Sequence, residues 1–272
     1  MKDSVDRPEI ERKAAKKYFH GIGLTPLLLI IVGIVLLVLG AIFIEVAALV
    51  FGLIAVFSGI ILIVMAVFAA PAYEKEVDEI VIQEQQYLLS RGKNKLSVVE
   101  EEVSLIEPII VIGASYQPDT VSSNNSNNDN FWQKIKKTAT GGPIFVQKIG
   151  SDGEMRYSLI EFSIFFFGET ELYIYFAHLD LTTGSIFHEG THEYFYKDIC
   201  GVTTEQVLNK AYNSKNRKYE DRLLEFINVY TYGCNHKSAF DSSKSNALLD
   251  EQFTAMRHLI RDKKEEKQGA YA

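Results

Sequence analysis

Hydrophobic and polar positions divide the chain into two unequal parts. From Leu24 to Ala70 nearly every position is apolar, and Glu45, near the middle, carries the only charge. From Pro71 onward apolar positions alternate with polar ones or recur at helical spacing. One helix over the apolar block would be roughly 70 Å long at about 1.5 Å per residue, whereas a bilayer core of about 30 Å takes about 20 residues. The block therefore reads as a transmembrane helical hairpin. Thr25 can cap the first helix and Pro26 suits its first turn, where a missing N–H does no harm. The first span reads Pro26–Ile44 and the second about Ala47–Ala70, ending before Pro71, with Glu45 at the apex.

Glycine spacing supports the fold-back. Gly33 and Gly40 mirror Gly52 and Gly59 about position 46, which predicts Gly40 against Gly52 and Gly33 against Gly59. Small residues let membrane helices approach closely. Basic residues flank both ends of the block (Arg12, Lys13, Lys16 and Lys17 before it, Lys75 and Arg91 after it) and are absent from the turn. The positive-inside rule then predicts a cell-membrane protein with both termini in the cytoplasm. The pattern is not that of a cleaved signal peptide, whose apolar core is shorter and is not followed by a second span.

Beyond the block, Tyr73–Arg91 reads as a helix ended by Gly92, and Ser97 to Glu100 as a capping box opening a short helix to about Glu107. Ile109–Ile112 has the β-branched composition of a strand. Gln117–Asn130 is Ser- and Asn-rich and without periodicity, the mark of a loop. Strand patterns follow at Ile144–Ile149, Arg156–Phe167, Glu171–Leu181, Ser185–Ile199 and Leu223–Tyr232, separated by the turn signals Ser151-Asp152-Gly153, Gly168-Glu169 and Thr182-Thr183-Gly184. Glu205–Tyr219 fits either a short helix or a long strand with a loop. Leu249, Phe253, Met256, Leu259 and Ile260 recur at helical spacing, capped by Asn246 and followed by Lys263 and Lys264, which predicts an amphipathic C-terminal helix lying on a β-sheet.

Antiparallel hairpins followed by one amphipathic helix, over about Ile109–Lys264, resemble the pleckstrin-homology-like fold. The run Glu193-Tyr194-Phe195-Tyr196-Lys197-Asp198-Ile199 and the closing Ala255 to Lys264 segment carry the resemblance. Bacterial membrane proteins carry such domains after transmembrane hairpins, and the domains bind lipids, peptides or proteins rather than catalyse reactions. The expected architecture is α+β: a cytoplasmic N-terminal segment (1–23), a hairpin (24–70), a helical stalk (71–107), an antiparallel β-sandwich or barrel with its C-terminal helix (108–267) and a short tail (268–272).

Charge and composition exclude some functions. The formal charge is −7. The first 23 residues are net basic, so the acidity lies beyond the apolar block, against general nucleic-acid binding. Cys200 and Cys234 have no CxxC spacing and read as free thiols.

Two segments have the residue types for chemistry or binding. His188-Glu189-Gly190-Thr191-His192 matches HExxH, in which two histidines on one helical face bind zinc and the Glu serves as base. Gly190 and the alternating Tyr194, Phe195, Tyr196 and Lys197 favour a strand instead. On a strand the two histidines lie about 13 Å apart at about 3.3 Å per residue, too far to chelate one ion. Phe131, Trp132, Lys134, Lys136 and Lys137 interleave aromatic and basic residues, as in a contact with anionic lipid headgroups. His178, His236 and His258 have no sequence neighbour to act with. The sequence thus predicts a membrane-anchored, non-catalytic binding or scaffold module without cofactor, its partners being the lipid bilayer and a protein, an anionic headgroup or a second copy. The alternatives are a zinc metallopeptidase and a structural subunit assembled through the hairpin.

Overall fold

The computed structural model describes residues 10–20, 25–43, 46–97, 106–115, 145–213, 218–240 and 246–269. The chain divides into two compact units, Glu11–Ile80 and Val81–Ala272 with the first residues Met1–Ile10. Their secondary structure is α+β with antiparallel sheets.

The first unit is helical. Helix α1 (Lys13–His20) buries Ala14, Ala15, Tyr18 and Phe19, and Lys17 lies over the ring of Tyr73. The sequence pattern predicts no element in this segment, whose helix is a finding of the structure. Helix α2 (Thr25–Phe43) and the first part of α3 (Val46–Leu96) pack tightly through glycine. A Cβ on Gly52 would stand 2.9 Å from the Gly33 carbonyl oxygen, and one on Gly59 2.9 Å from that of Pro26. Gly33 therefore faces Gly52 and Val56, not Gly59. Helix α2 ends at Phe43 and Val46 already belongs to α3. Gly40 lies within α2.

The transmembrane assignment needs correction. Among the described residues no helix is long and apolar enough to cross a membrane. The helix that carries the second apolar run does not end before Pro71 but continues through the charged stretch to Leu96 as one 51-residue helix. The two-span hairpin, the multi-pass membrane localisation and the cytoplasmic placement of both termini are accordingly withdrawn. Large apolar side chains of α2 and α3, Phe57 and Met65 among them, are exposed. Gly92, expected to end a helix, instead sits inside α3, where a Cβ would stand 2.9 Å from the Tyr175 ring.

In the second unit, β1 (Ile109–Ala114), β4 (Leu159–Phe167), β5 (Glu171–Asp180) and β6 (Ile186–Phe195) form a four-stranded antiparallel sheet in the order β1-β4-β5-β6. Strands β2 (Gln147–Ile149) and β3 (Met155–Tyr157) form a small hairpin around Gly153, whose φ of +85° suits the turn. Strands β7 (Ile199–Asn213), β8 (Lys218–Thr231) and β9 (Asn235–Phe240) make a three-stranded sheet. The expected strand Ser185–Ile199 is interrupted: a 3-10 turn at Tyr196–Asp198 carries the chain from one sheet to the other. Within the ambiguous Glu205–Tyr219 stretch the described residues are extended, with register held from Gly201↔Tyr230 out to Asn213↔Lys218 after a shift between Ile199 and Gly201. Helix α4 (Asn246–Gly269) closes the chain.

One core joins these elements. Phe165, Phe167, Leu172, Ile174 and Tyr194 from the first sheet meet Ile227, Val229 and Phe240 from the second and Phe253, Met256 and Ile260 from α4. Alternate strand residues share a face, so the same inward faces continue past this core. Their composition changes along the strands: Phe165 gives way to Ser163 and Glu161 on β4, Ile174 to Phe176 and His178 on β5, Tyr194 to His192, Gly190 and His188 on β6, and Phe240 to Ser238 and His236 on β9.

Candidate functional site: a histidine-lined interior

The cross-strand register builds this polar end in rows. Ser163, Phe176 and Gly190 are successive partners across β4, β5 and β6, and Glu161, His178 and His188 form the next row. Gly190 leaves room for Phe176: a Cβ there would meet the tip of the ring at 2.5 Å. The Phe176 ring becomes the hub of four imidazoles, with centroids 5.2 Å from His188, 5.3 Å from His192, 5.5 Å from His236 and 6.3 Å from His178. The histidines also meet in pairs. His178 and His188 are 4.8 Å apart within the first sheet, and His192 and His236 are 5.4 Å apart across the two sheets.

Beneath the rings runs a buried polar chain. Ser238 Oγ lies 2.7 Å from His236 Nε2 and 2.5 Å from Ser163 Oγ, and Ser163 Oγ donates to Glu161 Oε1 at 3.3 Å. Ser163 Oγ is also 3.2 Å from His236 Nε2. His178 Nδ1 lies 2.7 Å from Ser115 Oγ. Burial first, then the neighbouring imidazoles, pushes His236 down to about 3 and His178 to about 4. Burial lowers His192 too, and raises Glu161 to about 7 against weaker opposing hydrogen bonds from Ser238 and Ser163. Both effects disfavour the charged form of a group removed from water.

Serine, histidine and glutamate meet here without forming a nucleophilic triad. In a triad the carboxylate orients the imidazole through its other nitrogen. Glu161 instead accepts from Ser163, on the serine side of His236. Ser163 and Ser238 are fully buried, and an imidazole so reluctant to take a proton is a weak general base near neutrality.

The HExxH segment lies on β6, not on a helix. His188 and His192 share the face of Gly190, His188 exposed at its outer end and His192 half-buried, while Glu189 points to the opposite face, where it anchors α3. Arg91 Nε and Nη2 donate to its two oxygens at 2.6 and 3.1 Å, Lys95 Nζ at 2.6 Å and Tyr175 OH at 2.6 Å. Burial alone would push the Glu189 carboxyl up, but the hydrogen bonds from Arg91, Lys95 and Tyr175 prevail and hold it at about 2. A carboxylate so committed is not a free base. Among the described residues no group of three or more His, Cys, Asp or Glu is placed to hold a metal ion.

Phe131, Trp132, Lys134, Lys136 and Lys137 lie outside the described residues. Cys200 and Cys234 are exposed free thiols. Sequence reasoning treated His178 and His236 as isolated and passed over Glu161, Ser163 and Ser238. The available signal was the pair of polar residues at alternate positions in the otherwise apolar Leu159–Phe167 run.

Comparison with known proteins gave no match to any family model, curated protein or solved structure.

Proposed function

We propose that the β domain is a non-catalytic binding module of pleckstrin-homology-like architecture that takes a protein partner. The observation that carries this reading is the β7–β8 ribbon. Its cross-strand partners Leu208 and Leu223 are 64% and 52% exposed, side by side on one face. Two large aliphatic side chains held together on a hydrogen-bonded ribbon form the kind of apolar anchor that interfaces use. Antiparallel sheets closed by one C-terminal helix support the pleckstrin-homology-like assignment. The engagement of Glu189 and the burial of both serines favour binding over hydrolysis.

The test is cross-linking of the full chain in its native host, with mass spectrometry of the adducts. Leu208→Lys and Leu223→Glu should each abolish a saturable adduct mapped to the β7–β8 ribbon while leaving the melting temperature within a few degrees. An adduct pattern indifferent to both substitutions would overturn the reading. So would peptide hydrolysis that disappears with Glu189→Gln.

A further inference from the structure

A lone buried histidine is a common core residue. Four histidines around one phenylalanine, two of them buried (His178 and His236), His192 half-buried and His188 exposed at the rim, are a different arrangement, because the His192–His236 contact bridges the two sheets. We propose that this end of the sandwich is an acid-operated latch, closed when neutral imidazoles from the two sheets pack about Phe176 and opened between β6 and β9 when they take up protons. The proposal is independent of the partner reading above.

The groups surrounding the cluster make the latch one-sided. On β1, Ser115 meets His178. On β4, Ser163 and Glu161 face inward, and Glu161 is the only carboxylate among these partners. On β5 and β6 the neighbours are the other histidines and Tyr194, whose ring stacks on His192 at 5.5 Å and whose hydroxyl meets the Cys234 thiol. On β8, His236 is paired with Val229, which carries no charge. Arg91 and Lys95 both pair with Glu189 on the other face of β6, a net positive group that offers the imidazolium ions no counter-charge. Glu161 cannot serve as counter-ion to the imidazolium groups, since its raised protonation range leaves it neutral in the same acidic conditions. Opening restores water to the rings of His178, His192 and His236 and returns them to the ordinary imidazole affinity near 6.5.

The sign and size follow from linkage. Histidines held at about 4 and about 3 when closed, and near 6.5 when open, each raise the opening equilibrium about thirtyfold between pH 7.5 and 5. Glu161 acts in the opposite sense, because a group at about 7 when closed releases its proton on opening, and it cancels roughly fiftyfold of that product. The net expectation is an opening about tenfold more frequent at pH 5 than at pH 7.5.

Hydrogen exchange of the full chain, corrected for intrinsic exchange rates, measures this opening. Amides of β6 and β9 around His188, His192 and His236 should lose about tenfold protection from pH 7.5 to 5, while those of α4 around Phe253 and Met256 change less than twofold. His236→Gln should flatten or slightly reverse the response, since the opposing effect of Glu161 then about matches or exceeds that of His178 alone. Glu161→Gln should enlarge it at least tenfold. Should His236→Gln not fold, His178→Gln carries the same expectation, and the wild-type profile decides by itself. Protection in β6 and β9 that is constant within twofold would overturn the latch, as would loss shared equally by α4, or a wild-type response retained in the histidine variants.

Discussion

Replacing Glu189 by Ala distinguishes an anchor for α3 from a catalytic base. The Glu189 side chain is 12% exposed and receives hydrogen bonds from Arg91, Lys95 and Tyr175. Hydrogen bonds to a charged group contribute about 1.5–3 kcal/mol each when buried, and losing one partner of a fully buried pair costs about 3–5 kcal/mol. Here Arg91 and Lys95 are 36% and 41% exposed and can turn to water, so their share is nearer that of surface pairs, about 0.5–1 kcal/mol. Tyr175 is fully buried, and its hydroxyl would be stranded. The expected loss is about 2–3 kcal/mol, which in a unit of this size lowers the melting temperature by roughly 5–10 °C. A double-mutant cycle of Glu189→Ala with Arg91→Ala should show at least about 0.5 kcal/mol of coupling, as neighbours sharing a network do. The same carboxyl sets an acid limit. Its folded pKa of about 2 lies below the ordinary carboxylate value of 4.5, so its stabilisation is complete above pH 4.5 and fades as pH falls towards 2. A wild-type protein that loses stability below pH 4.5 more steeply than Glu189→Ala is the expected result. A variant within 0.5 °C of the wild-type melting temperature, with no coupling to Arg91, would refute the anchoring argument.

Gly113→Ala should destabilise the sandwich by about 3 kcal/mol or more, because the new Cβ collides with the backbone carbonyl of Ala239 on β9, which cannot move aside as a flexible side chain can; a denaturant midpoint equal to that of wild type would contradict the contact. Gly33→Leu should separate α2 from α3, where a Cβ meets the Val56 backbone nitrogen at 2.9 Å, and disulfide cross-linking between cysteines introduced at Leu37 and Val56 should fall at least severalfold; undiminished cross-linking would show a different helix register. Asp180→Ala should cost about 1–2 kcal/mol, since its carboxylate accepts from both the amide and the hydroxyl of buried Thr182 in the β5–β6 turn; Asp180→Asn, which keeps an acceptor, should recover about half in the same thermal melt.

Strand alternation, turn chemistry and the apolar stripe of the last helix were legible in the sequence, because each arises between residues close along the chain. Gly153 and Gly184 both adopt the positive φ that their turn positions require. The amphipathic C-terminal helix places Phe253, Met256 and Ile260 in the core. Periodicity located the apolar helices of the first unit, but not where the second one ends. Pro71 lies within α3, although proline is the least favourable residue in a helix interior.

What only the tertiary structure decided is which distant residues meet. The HExxH spacing is a local pattern, and its meaning changed entirely with the backbone: on β6 it divides Glu189 from His188 and His192 by the thickness of a sheet. His178 and His236, which the sequence separates from that pattern, were brought to it by strand register and by the packing of one sheet on the other. The chain by itself determined local conformation, because backbone sterics and side-chain periodicity act over a few residues. The polar cluster depended on long-range register, where a slip of one residue would have turned every histidine on its strand to the opposite face.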